Sequence, residues 1–141
     1  MSFFIISYVG FGITYVLICR KMANTLAMFL NEYTDISGEI ILIKYKSMIR
    51  KYMYLQFAYS IISIIIICLG IFLIIASFTD KSLFRGLFIG FLGIVLEKLT
   101  KGQEIDKLEN KAKALDCANK DLKKRYHEIR HTWLNKTLPD F

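Results

Sequence analysis

The stretch SIISIIIICLGIFLIIASF, residues Ser60–Phe78, carries no charged side chain and no proline. Working outward from it, the apolar run begins at Tyr52, directly after Arg50 and Lys51, and closes at Phe78. At about 1.5 Å of rise per residue, a helix over this run is long enough to cross roughly 30 Å of hydrocarbon. The rest of the chain agrees with that reading. Of its 141 residues, 55% are hydrophobic, the net charge is +7, and there are eight glycines and one proline, Pro139. With so few turn formers, a β-barrel or sandwich is excluded and an all-α membrane protein is expected.

Two further apolar runs flank this one. Phe3–Cys19 ends abruptly at Arg20 and Lys21. Its leading residues lack a basic side chain and no small-residue cleavage site precedes the basic pair, so a retained span is expected, not a cleaved signal. The third run, Leu83–Leu96, is short and contains Arg85. The basic residues decide its reading. Of 19 Lys and Arg, six fall between the first and second runs, only Lys81 between the second and third, with Arg85 near the start of the third, and eleven after the third. The positive-inside rule then predicts three spans, with the N-terminus outside and both the 20–51 segment and the tail in the cytoplasm. A bacterial inner membrane is the expected location. Arg85 would snorkel to the outer interface.

Between the first two spans, Met22, Leu26, Phe29, Leu30 and Tyr33 recur at helical spacing, as do Ile41, Tyr45, Met48, Ile49 and Tyr52. The intervening Thr34–Gly38 carries turn residues, with Asp35 or Ser37 able to cap the second arm. A cytoplasmic helical hairpin over 20–51 is predicted, within a membrane region 1–99. Lys44, Lys46, Arg50 and Lys51 are assigned to lipid headgroups.

The region 100–141 forms the predicted cytoplasmic heptad helix. Ile105, Leu108, Ala112, Leu115, Asn119, Leu122, Tyr126, Ile129 and Trp133 alternate in steps of three and four. Asn119, the one polar member, has the character of a register-setting residue. The stripe can pair with a second copy through Leu108, Leu115, Asn119, Leu122, Ile129 and Trp133, or pack within the subunit on the two hairpin faces. Gly86, Gly90 and Gly93 line one side of the third run and would let helices approach closely, so they join the expected oligomer interface. Gly10 and Gly12 repeat the pattern more weakly.

Chemistry is sparse. No phosphate loop, metal-ligand spacing, nucleophile elbow or paired carboxylates occur, and Cys19, Cys68 and Cys117 suggest neither disulfide nor metal. Roughly 80 residues lie outside the spans, little for an enclosed active site. No enzyme, cofactor or metal is expected. The expected partners are a second copy, membrane lipid and a cytoplasmic protein, not nucleic acid. One constellation stands apart: Arg125 and His131 form Arg-x5-His, which resembles the signature of HEPN ribonucleases, where His acts as acid and base and Arg stabilises phosphate charge. The competing reading is a solvated basic helix face. The helical membrane region followed by Arg125 and His131 is similar to the accessory membrane proteins of RNA-targeting CRISPR systems, which implies a ring-like inner-membrane pore. The three-span plan resembles that of one class of phage holins. Colicin immunity proteins are similar in composition without forming a pore. The leading expectation is a homo-oligomeric pore that alters membrane permeability, in phage defence; the alternative is a passive anchor subunit of a larger complex.

Overall fold

The computed structural model describes residues 2–79 and 103–141. The third run over 83–96, with Gly86, Gly90 and Gly93, lies outside them. The described residues form four helices and one short parallel strand pair: α1 (Ser2–Glu32), β1 (Asp35–Ile36), α2 (Glu39–Thr79), α3 (Gln103–Lys113), β2 (Asp116–Cys117) and α4 (Lys120–Asn135). Neither α1 nor α2 contains proline, and both run unbroken, for 31 and 41 residues. The segments Ile6–Glu32 and Glu39–Ala76 are each long and apolar enough to cross a membrane.

The chain divides into two compact units whose boundaries differ from the expected 1–99 and 100–141. One contains Met1–Cys19 and the chain from Ala58; the other joins Arg20–Phe57 to Gln103–Phe141. In the first, the rings of Phe4 and Phe72 lie 4.8 Å apart and those of Tyr15 and Tyr59 4.7 Å apart. The two hydroxyls of Tyr15 and Tyr59 hydrogen-bond to each other, Ser63 is buried, and Tyr8 packs over Gly70. Outward, Ile6, Ile64 and Ile75 are 70, 62 and 63% exposed. Polar groups face inward and large aliphatics outward, the pattern expected where the surroundings are hydrocarbon and polar groups must find partners inside.

The second unit encloses an apolar core of its own, with Met28, Ile40 and Ile43 left exposed on its surface. Leu26, Ile36, Tyr45, Ile49 and Tyr52 are fully enclosed, and Met22, Phe29, Leu42, Ile105, Ala112, Tyr126, Ile129 and Trp133 complete its core. The helical faces predicted for 20–33 and 41–52 are the buried ones, with Leu42 replacing Ile41. Between α1 and α2 the connection contains β1, and Gly38, not Asp35 or Ser37, is the residue whose carbonyl accepts the first helical bond, from the Leu42 N–H at 3.1 Å.

The tail departs from the single heptad helix. It is two helices separated by β2, which pairs in parallel with β1 in the register Asp35↔Asp116 and Ile36↔Cys117. The Ala114 N–H turns back to the Lys111 carbonyl, ending α3, and the Ala118 N–H donates to the Ile36 carbonyl at 3.2 Å. Asn119 holds no coiled-coil position: it is exposed, extended at φ −130° and ψ 149°, and precedes α4 as its cap residue. Asp116 and Asn119 are poor helix formers, and burying Ile36 against this segment outweighs continuing the helix. The three-four spacing survives because α3 and α4 each bury their own stripe.

Candidate functional site

The densest arrangement of chemically capable side chains lies in the second unit, around the end of α3. The helix leaves backbone carbonyls without helical partners, as every helix end does. The carbonyl of Ala112 takes two: the hydroxyls of Tyr45 and Tyr126 both donate to it, each at 3.0 Å. The Tyr126 oxygen also accepts the Leu115 N–H at 3.2 Å, and the two rings lie 5.1 Å apart. One level along, the Tyr52 hydroxyl donates to Glu109 Oε1 at 2.5 Å, and Lys113 Nζ donates to Glu109 Oε2 at 2.7 Å. The same ammonium sits 4.7 Å from the centre of the Trp133 ring, whose edge meets Tyr52. Two helix ends and two aromatic pairs are thereby tied into one cluster.

Electrostatics assign this cluster a holding role. Burial, reinforced by the neighbouring Tyr126 hydroxyl, pushes the Tyr45 phenol far above its ordinary value, and burial likewise raises Tyr126. Both stay neutral donors. Burial also pushes the Cys117 thiol up, which keeps it protonated and a poor nucleophile. At the surface, the Tyr33 hydroxyl, then Lys44, hold the Glu32 carboxylate below its usual range, and Lys136 does the same for Asp140.

The two weak catalytic candidates, Arg125 and His131, both lie on α4. The Arg125 guanidinium donates to Glu39 Oε1 at 2.7 Å, and His131 is exposed six residues along α4. Six residues turn a helix through about 600°, so the two side chains leave it roughly 120° apart. Among the predicted interface residues, Ile129 and Trp133 are buried within their own chain, Leu122 is half-buried and Asn119 is exposed. Leu108 and Leu115 are half-buried and line an open cleft of about 370 Å³ with Leu30, Tyr33 and Lys111. Of the predicted headgroup residues, Lys44 pairs with Glu32 at 3.2 Å and with the Tyr33 hydroxyl, and Lys46 and Arg50 pack over the Phe141 ring, whose carbonyl Arg50 also binds. Lys51 is exposed. Lys46, Arg125, Glu128 and Asp140 share a second open cleft of about 290 Å³ in which both charge signs mix.

Sequence reasoning missed the cluster around Ala112. Tyr45, Ala112 and Tyr126 each stood on a predicted apolar stripe, but hydroxyls converging on one carbonyl are invisible to periodicity. Leu134 and Leu138 lie off the stripe and are 54 and 45% exposed. Among the described residues, no group of three or more His, Cys, Asp or Glu side chains could hold a metal ion. Comparison with known protein families, curated proteins and solved structures finds no match.

Proposed function

We propose that the protein is an integral membrane anchor whose spans carry a self-contained, basic helical head at the cytoplasmic face of a bacterial inner membrane, as a subunit of a larger assembly. The observation that carries this reading is the closure of the head. Tyr126, Ile129 and Trp133, the large residues of the tail stripe, are already covered by α2 of the same chain. A head that satisfies its own apolar faces has no need of a second copy.

The same contacts support three spans. Residues 20–57 and 103–141 fold together, so they share one side of the membrane. If α2 crosses once, the chain must cross again before Gln103, and the run 83–96 is the apolar stretch available for it. The abundance of Lys and Arg in the head favours the cytoplasmic side.

The homo-oligomeric pore, with a role in phage defence, is the second reading. It is favoured by Gly10 and Gly12, around which nothing lies within 4 Å of where a side chain would start, so another helix could approach the α1 backbone. Mass determination of the purified full chain in detergent separates the readings. The anchor predicts a monomer. A discrete multimer that persists on dilution would overturn it in favour of the ring.

A further inference from the structure

Beyond α4 the chain takes no regular structure. Lys136 is already extended, at φ −118° and ψ 145°, and Pro139 bars a return to helix. The segment Lys136–Phe141 then lies against α2, within the second unit. Arg50 donates to the Phe141 carbonyl, and Lys46 Nζ and Arg50 Cζ stand 5.2 and 5.9 Å from the centre of its ring. One helical turn separates the two cations, so both reach the same ring. The open cleft here is lined by Leu42 and Ile129, both buried, and by Arg125 and Glu128. Arg125 is taken by Glu39. Among the described residues no Asp or Glu carboxylate pairs with Lys46 or Arg50, which leaves them to Phe141. The segment itself is lightly held: only Pro139 and Phe141 are half-buried, the rest is exposed, and the Lys136–Asp140 pair is internal to it. Exposed cation–π contacts are weak and salt screens them, whereas α4 is fixed by Tyr126, Ile129 and Trp133 in the core.

We infer that the Lys46–Arg50 cleft is the docking site through which the head joins a partner protein, that it takes a peptide in which an aromatic residue adjoins an acidic one, and that Lys136–Phe141 occupies it until the partner arrives. Two cations beside an aliphatic wall fit an aromatic ring with an anionic group next to it. Asp140 and Phe141 are that combination in the protein's own chain, and both line the cleft. Tethering gives the segment a high effective concentration there, so a partner must displace it. The segment can leave while the core of the head stays closed. The inference names the contact behind the subunit reading above and rests on that reading.

The test compares the full chain in detergent with a chain ending at Asn135, using a fluorescent synthetic peptide of residues Lys136–Phe141 as the probe and its anisotropy as the readout. Saturable, salt-sensitive binding to the shortened chain is expected, and severalfold weaker binding to the full chain. Binding should weaken severalfold as well when the shortened chain carries Lys46→Gln with Arg50→Gln, or when the peptide carries Phe141→Ala. Absence of binding to a shortened chain whose head melts like that of the full chain would overturn the inference, as would binding indifferent to salt or to the Lys46→Gln and Arg50→Gln changes. If shortening unfolds the head, Phe141→Ala in the full chain opens the same cleft, and the same outcomes decide. A dimer of the full chain that excess peptide dissolves would overturn the partner protein in favour of a second copy's tail. A multimer that excess peptide leaves intact would overturn the subunit reading, while the peptide titration on the same sample still decides the cleft.

Discussion

The apolar half of α2 and its lower half belong to one unbroken helix yet are built on opposite plans. Above Ala58, tyrosine hydroxyls and Ser63 turn inward while Ile64, Ile71 and Ile75 turn outward. Below it, Tyr45, Ile49 and Tyr52 are enclosed and Lys44, Arg50 and Lys51 face out. A helix shows its solvent by what it leaves exposed. Burying a large aliphatic side chain is worth about 1.5–3 kcal/mol in water, so a long row of exposed isoleucines with no charged residue among them points to apolar surroundings, whereas Ile40 and Ile43 stand exposed beside Glu39 and Lys44.

The contrast can be broken most severely in the head core. Tyr45→Ala removes a fully enclosed ring together with its bond to Ala112, and should cost the head about 3–5 kcal/mol, as large aromatic truncations do. Hydrogen exchange in micelles should show protection lost across Gln103–Asn135 while the apolar half of α2 stays protected. Loss of protection along the whole of α2 would mean the two halves are not separate in character.

Next in size is a charge moved between the two plans. Ile64→Lys sets an ammonium on the outward face of the apolar half and should cost on the order of 2.5–3.5 kcal/mol of insertion. Ile40→Lys, on the equally exposed face of the head, should stay within about 0.5 kcal/mol. Membrane-fraction yield and head melting temperature read the two effects, and similar penalties at both sites would erase the distinction.

A smaller effect follows from the shared carbonyl. Tyr126→Phe leaves the Leu115 N–H without its acceptor and should destabilise the head by about 1–3 kcal/mol. The pH dependence has a definite sign. Burial raises the Tyr45 and Tyr126 phenols above their unfolded values, so the unfolded chain releases these protons first. The contribution is intact below the ordinary phenol range, near about 10, and is lost as pH climbs above it. Alkaline melting curves should show that loss, and Tyr45→Phe should flatten it. Smallest of all, Arg125→Ala breaks an exposed pair with Glu39 and should cost less than about 1 kcal/mol. An in-cell RNA-cleavage phenotype abolished by Arg125→Ala and by His131→Ala alike would favour the ribonuclease reading.

The span in α2 and the buried faces of 20–33 and 41–52 were legible because composition and helical period report solvent directly. The division into units was not. It depends on contacts such as Tyr45 with Ala112, 67 residues apart, and no local pattern announces a partner at that distance. The break in the tail was legible only in retrospect: Asp116 and Asn119 are weak helix formers, yet the three-four count runs across them because spacing registers which residues are apolar, not whether the backbone between them is continuous. Ile36 is the clearest miss. In a segment that reads as a turn, it is fully enclosed and its carbonyl anchors the returning chain. The pairing of Arg125 with Glu39 was illegible for the same reason, since the two lie 86 residues apart.

The most direct test of the two-plan account is single-cysteine labelling of outward positions along α2 in intact membranes with an impermeant, water-requiring maleimide. Reaction is expected at Ile40 and Ile43 once the reagent is admitted to both sides of the membrane, with silence at Ile61, Ile64, Ile67 and Ile71 from either side. Reaction at the upper isoleucines comparable to that at the lower ones would contradict it.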